Sequence, residues 1–155
     1  MKILIATDGS DYSKAAIEKA CEMVVKPENT AIKIVSVYQS YLPLDIYPQS
    51  VQYAEEFERA MHKQAEEYAD EAVATIRECF PDTNIELTTQ VTLGATNRVI
   101  VETAGDWNAD LIVVGSHGRG FWGRTLIGSV SDSVVHHALC SVLVVRSAPA
   151  ETPGK

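Results

Sequence analysis

Leu111-Ile-Val-Val-Gly115-Ser-His-Gly118, then nine residues, then Gly128-Ser129 is the stretch that decides how this chain folds. A short apolar run leads into a glycine-bearing loop, and the loop opens onto residues 129–139, which read as a helix. A strand feeding such a loop and then a helix is how α/β proteins cradle phosphate. Glycines let the backbone approach an anion and take positive φ, and a helix start offers unpaired N–H groups.

The flanks repeat the alternation. Ile3-Leu-Ile-Ala6 is a continuous apolar run ending at Asp8-Gly9-Ser10, which reads as a buried strand and a turn. Ser10 suits a helix cap, and Ala16, Ile17, Ala20, Cys21 and Val24 follow at helical spacing up to Pro27. Residues 31–37 form a second strand. Residues 38–50, with Pro43 and Pro48, read as a loop. Phe57, Met61, Ala65, Tyr68, Ala72 and Ile76 step by three or four along a long helix that Pro81 ends. Residues 85–91 read as strand, and Gly94 turns into a helix carrying Val99, Ile100 and Ala104. Residues 111–114 and 142–145 supply the last two strands. Strands alternating with helices imply parallel pairing and right-handed crossovers. The expectation is a doubly wound, Rossmann-like α/β fold: a five-stranded parallel sheet, order 3-2-1-4-5, helices on both faces. One domain, residues 1–147, is expected, with residues 148–155 (Pro149 and Pro153 among them) as a flexible tail.

A chain of 155 residues can bury a core without staples. Its formal charge of −8 argues against a general nucleic-acid surface. Between Leu111 and Ser131 there is no Asp or Glu, whereas His117, Arg119 and Arg124 all fall there. That leaves either a place for an anion or a chance clearing in a mobile loop. Cys21, Cys79 and Cys140 are odd in number and form no C-x-x-C pair, so neither a zinc site nor a disulfide framework is suggested. Cys21 and Cys140 sit among apolar residues and read as small core residues. The N-terminus meets Asp8 too soon for a signal peptide, and no apolar run reaches membrane-span length. A cytoplasmic protein without membrane contact is the expectation.

Ligands of open parallel sheets bind at the carboxyl ends of the strands, where strand order reverses. Thr7-Asp8, Val37-Tyr38 and Gly115-Ser116 should therefore converge on one crevice. The first offers a carboxylate for ribose or a metal, the second main-chain groups for a flat base, the third the glycine loop. Each suits one portion of a nucleotide, although any one glycine alone reads better as a strand or helix terminator.

Rival motifs are weaker. Gly118-Arg-Gly120-Phe-Trp-Gly123 satisfies G-x-G-x-x-G, but no acid-ended strand lies about 20 residues beyond it for a dinucleotide ribose. The run from Gly123 to Gly128-Ser129 has Walker A glycine spacing without the lysine. Asp132, Ser133 and His136 share one helix, where adjacent residues point apart, so a catalytic relay is not expected. His136 and His137 lack a third metal ligand. Trp107 reads as helix-end core, and Trp122 either packs its loop or folds over a ligand.

The spacing G-x2-G-x9-G-[ST] resembles the nucleotide-binding branch of the universal stress protein family, and the resemblance runs over nearly the whole chain. By resemblance, Ala6, Thr7 and Asp8 lie beside adenosine and Val37 meets adenine through its backbone. Gly115 and Gly118 flank the ribose and phosphates, and Gly128, Ser129, Val130 and Ser131 hold the phosphates. Arg119 joins this set as a loop cation. Ser141-Val-Leu-Val-Val-Arg146 looks like the family's last strand, through which its members commonly dimerise. The loop at residues 38–50 departs from the pattern. The resemblance implies an ATP-binding regulator of the stress response, ATP carrying Mg2+, and a homodimer through the last strand, with a protein partner of unknown identity. Two alternatives stay open: a slow Mg2+-dependent ATP hydrolase or nucleotidyl-transfer enzyme, with weak ATPase activity at most, and an interaction module with a vestigial pocket.

Overall fold

A computed structural model describes residues 1–24, 26–39, 48–118 and 127–146. In chain order these form β1 (Lys2–Thr7), α1 (Asp11–Met23), β2 (Ala31–Tyr38), α2 (Pro48–Cys79), β3 (Glu86–Leu93), α3 (Thr96–Trp107), β4 (Leu111–Gly115), α4 (Ser129–His137) and β5 (Ser141–Val145). A short 3-10 turn at Pro27–Asn29 precedes β2. All strand pairs are parallel, in the order β3-β2-β1-β4-β5. Ile3 is matched to Ile32 on one side and Leu111 on the other, which makes β1 the centre of the sheet.

Why β1 reads as an unbroken apolar run is now plain: both of its faces are covered. Ile3 and Ile5 point into a cluster with Ile17, Ala20, Ala72 and Ile76, contributed by α1 and α2. Leu4 points the other way, among Ile100, Ala104 and Val134 of α3 and α4. All three β1 residues are fully buried. Successive strand residues face opposite sides, so only a two-sided core turns a period-two strand into a solid apolar stretch.

Ser10 caps α1 as expected, its Oγ accepting the Ser13 N–H at 3.2 Å. The helix stops at Met23, before Pro27 is reached, where Val24 is extended and its N–H bonds back to Cys21 O at 3.2 Å. Pro48 is not loop but the first residue of α2. Proline fits there because its missing N–H would have no partner in the first turn. The rest of the expected loop, residues 40–47, lies outside the described residues, as do Trp122 and residues 147–155. Helix α4 ends at His137, two residues early, because Ala138 turns extended. Trp107 does close α3, with the ammonium groups of Lys2 and Lys33 over its ring at 5.5 and 5.1 Å. Cys21 is buried, whereas Cys140 is only partly so.

The 32 residues of α2 span roughly 48 Å at helical rise, against ~26 Å for an eight-residue strand. Its C-terminal half packs, with Ala65, Ala69, Ala72 and Ile76 buried at steps of three and four. Phe57 continues that stripe yet is 45% exposed, and Tyr53 is 73% exposed. Among the described residues the stripe outruns the sheet it packs on. No helix among the described residues is long and apolar enough to cross a membrane.

Candidate functional site

Strand order reverses between β1 and β4, because one connection from β1 leads to β2 and the later chain returns to pair on the other side. Helices α1 and α4 start at this edge. The site is assembled from what these four ends do.

Beyond β1 the chain turns through Gly9, at φ 74°. A Cβ there would sit 2.3 Å from the Tyr68 ring of α2, so both the conformation and the space demand glycine. The turn fixes Asp8, whose Oδ1 accepts the Ser10 N–H at 3.1 Å and the Ser10 hydroxyl at 2.6 Å. Thr7 is buried, and its hydroxyl donates to Ser13 Oγ at 3.2 Å.

Gly115 ends β4 under the first turn of α1, and a Cβ on it would lie 2.7 Å from the Tyr12 carbonyl carbon. Helix α4 is tied back to the same strand end. The Ser131 hydroxyl donates to Gly115 O at 2.6 Å, and Gly128 N–H donates to Ser116 O at 2.8 Å. Ser116 itself is held by its N–H on Val145 O at 2.7 Å. The two ends of the glycine loop are thereby fastened together. Gly118 approaches Asp8, since an added Cβ would meet Asp8 Oδ2 at 2.9 Å.

The positive φ expected of this loop is not found. Among the described residues, positive φ in glycines is confined to Gly9 and Gly94, and Gly128 has φ −62°. These glycines serve close approach instead: to α1 at Gly115, to Asp8 at Gly118, and to Ser116 O at Gly128, where a Cβ would come within 3.1 Å.

These parts enclose a crevice of about 360 Å³. Its floor is apolar, from Val35, Ile100 and Val114, and its polar groups come from Asp8, His117 and the first turn of α4. No side chain caps α4, whereas Ser10 caps α1. The Ser129, Val130 and Ser131 N–H groups therefore begin a helix that faces a cavity. His117 stacks at a tilt on Tyr12, with centroids 5.1 Å apart, and its Nδ1 lies 3.0 Å from Ser116 Oγ. Among the described lining residues there is no Lys or Arg, and no described cluster of three His, Cys, Asp or Glu could hold a metal.

Ala6, Thr7, Asp8 and Val37 from the sequence reading all line this one crevice, as do Gly115, Gly118, Gly128, Ser129, Val130 and Ser131. Arg119 lies outside the described residues. Ser13, Val35, Thr96 and Ile100 also line it and were not anticipated. The topology carried the signal for Thr96, since every helix of a parallel α/β sheet starts at the carboxyl edge. The Asp132, Ser133 and His136 relay is absent: Ser133 Oγ takes a hydrogen bond from Asn97 at 2.8 Å, and His136 Nδ1 lies 2.8 Å from Asp132 O.

A switch-point crevice on a 3-2-1-4-5 sheet, walled by a glycine loop and an uncapped helix start, defines a small Rossmann-like α/β protein with its candidate site where such sheets take ligands. The chain belongs to the Universal stress protein family, whose model matches residues 1–146. It is 30% identical to a universal stress protein of Synechocystis sp. over 94% of this chain and 97% of that one. Among solved structures it is similar to the universal stress protein UspA of Lactobacillus plantarum, with TM-score 0.74 and 25% identity, covering 94% of this chain and 97% of that one. A family protein of Arabidopsis thaliana, solved with AMP bound, shares the fold at TM-score 0.63 and 22% identity, covering 99% and 96%.

Proposed function

We propose that the crevice binds an adenine nucleotide, ATP with Mg2+, and that the chain acts as a nucleotide-dependent regulator in the stress response. The observation that carries this reading is the convergence, in one crevice of about 360 Å³, of an apolar floor, a fixed carboxylate and an uncapped helix start. That volume falls within the ~300–1,000 Å³ usual for small-molecule sites. In this reading the base lies against Val35 and Ile100 and is recognised by main-chain groups at Val37. Asp8 takes the ribose or the metal. Gly115 and Gly118 leave room for the sugar and phosphates. The N–H groups of Ser129, Val130 and Ser131, with the Ser129 hydroxyl, receive the phosphates, and Arg119 adds a cation from the loop. A single carboxylate suffices for Mg2+, which takes most of its oxygens from phosphate and water. Support also comes from fold relatives solved with AMP, cAMP and dAMP.

The test is to denature the purified protein, identify any nucleotide released, and titrate ATP, AMP, GTP and NADH by calorimetry. ATP is expected to bind most tightly. Tighter NADH binding, or no binding of any adenine nucleotide at millimolar concentration, removes the reading.

A homodimer through β5 is part of the same proposal. This strand borders the sheet, and Val142 to Val145 are each only half-buried. A shallow groove beside it is walled by Ala15, Glu18, Lys19 and Glu22 of α1 and by Arg146. Acid and base side by side suit a two-fold contact in which each copy offers both.

A further inference from the structure

Cys21 lies in the last turn of α1, and Cys79 is the last residue of α2. The two helices pack against each other and against the same face of the sheet. Both run antiparallel to the strands, so these ends meet at the edge opposite the crevice. The cysteines, far apart in sequence, are neighbours there, with Cys79 near enough to act on the Cys21 thiol. The packing around them keeps them close. Cys21 belongs to the buried cluster that includes Ala72 and Ile76 of α2, and Phe80, next to Cys79, packs against that cluster. Both thiols are free; Cys21 is buried and Cys79 exposed.

We propose that Cys21 and Cys79 are a redox site, which peroxide converts into a reversible intramolecular disulfide stapling α1 to α2. The two positions divide the chemistry. Burial, and then the neighbouring Cys79, push the Cys21 thiol up to about 12, so it keeps its proton at neutral pH. Cys79 stands at the surface, where an oxidant reaches it. As thiolate, its sulfur attacks one peroxide oxygen; the O–O bond breaks, and the departing hydroxide takes up the thiol's proton as water. Cys79 is now a sulfenic acid. Cys21 gives up its proton as its sulfur attacks, which its raised pKa makes the slower step; the S–O bond breaks, and the departing hydroxide takes that proton as a second water. Two thiols and one hydrogen peroxide thus become one disulfide and two waters. A dithiol reverses the change by exchange. Cys140, on the other face of the sheet, takes no part.

The staple closes a long loop of chain, the case in which a crosslink restricts the unfolded state most. About three turns back along α2 from Cys79, the Tyr68 ring covers Gly9, just ahead of α1 and next to Asp8. The site and its test do not depend on the nucleotide reading.

The test treats reduced, desalted wild-type protein with hydrogen peroxide, blocks remaining thiols with an alkylating agent, and digests without reduction. Three free thiols should fall to one, the intact mass should drop by two hydrogen atoms, and the Cys21 and Cys79 peptides should appear joined. The oxidised protein should melt several degrees higher, and dithiothreitol should restore the starting value. Cys79→Ser, a change at an exposed position, should leave its two remaining thiols unlinked. Cys79 overoxidised while Cys21 is still alkylated, a link involving Cys140 or a second chain, or no thiol loss at peroxide levels that oxidise free cysteine each overturns the proposal.

Discussion

Ser131 donates its hydroxyl proton to the Gly115 carbonyl at 2.6 Å, fastening the first turn of α4 to the last residue of β4. The side chain is buried. Its proton is therefore committed to the protein, and Ser131 can offer a phosphate only its backbone N–H as donor. Ser129 keeps the freer hydroxyl of the two.

Ser131→Ala should lower stability by ~0.5–1.5 kcal/mol, because it removes the hydrogen bond of a buried hydroxyl to a half-buried carbonyl, and should weaken ATP binding by loosening α4. Ser129→Ala should weaken binding with stability nearly unchanged. Urea unfolding and calorimetry on both variants check the contrast. Equal affinity losses with equal stability losses would contradict these separate roles.

The loop glycines should likewise divide. Gly115→Ala drives a methyl into the Tyr12 backbone and should cost ~1–3 kcal/mol of stability. Among the described residues a Cβ at Gly118 meets just the end of the Asp8 side chain, so in Gly118→Val the fold should survive while ATP affinity falls at least tenfold. Thermal melts and ATP titrations separate the two, and a folded Gly118→Val with wild-type affinity would show that Gly118 only shapes the turn.

Turnover of ATP should be far below the ~1–10³ s⁻¹ typical of enzymes. Phosphoryl transfer needs a positioned nucleophile and concentrated positive charge; the described lining residues hold no Lys or Arg, so in this reading the side-chain charge rests on Arg119 alone. Single-turnover assays with labelled ATP measure it. A rate inside the enzyme range, abolished by Asp8→Ala with ATP still bound, would make the protein a hydrolase.

Arg146→Glu should shift the protein toward monomer, because it adds an acid to Glu18 and Glu22 and leaves Lys19, already paired with Glu22, as the base among the described residues of the groove along β5. Val142 and Val144 are less suited to this test, since both pack partly against the α3–α4 layer. Sedimentation velocity at tens of micromolar reads the result. A wild type that is already monomeric there contradicts the dimer.

Strand order and helix placement were legible because β1 and β4 are buried on both faces, which leaves solid apolar runs bounded by turns. The crevice was legible where chemistry demands a residue type, as at Asp8 and the loop glycines. Thr96 and Ile100 escaped notice because their role comes from where β3 delivers α3, and their residue types say nothing of it. The cysteine contact was hidden for a similar reason: Cys21 and Cys79 become neighbours only once α1 and α2 lie side by side. Pro48 misled because proline breaks a helix everywhere except its first turn, and sequence alone did not show where that turn begins.

Between Tyr53 and Gln64 no residue of α2 is buried, whereas from Ala65 onward every turn has an anchor in the core. Among the described residues this stretch is held by its own backbone ladder, by the edge-on contact of His62 with Tyr38, and by exposed pairs such as Arg59–Glu55, each worth ~0.3–0.5 kcal/mol. Such a helix does not melt as one unit. Its outer turns will exchange their amide protons long before the inner ones, and warming will shed helical signal while the sheet and crevice stay whole. Ellipticity is therefore a poor gauge of whether this protein is folded where it matters; the near-ultraviolet signal of Trp107, which both Lys2 and Lys33 contact, is a better one.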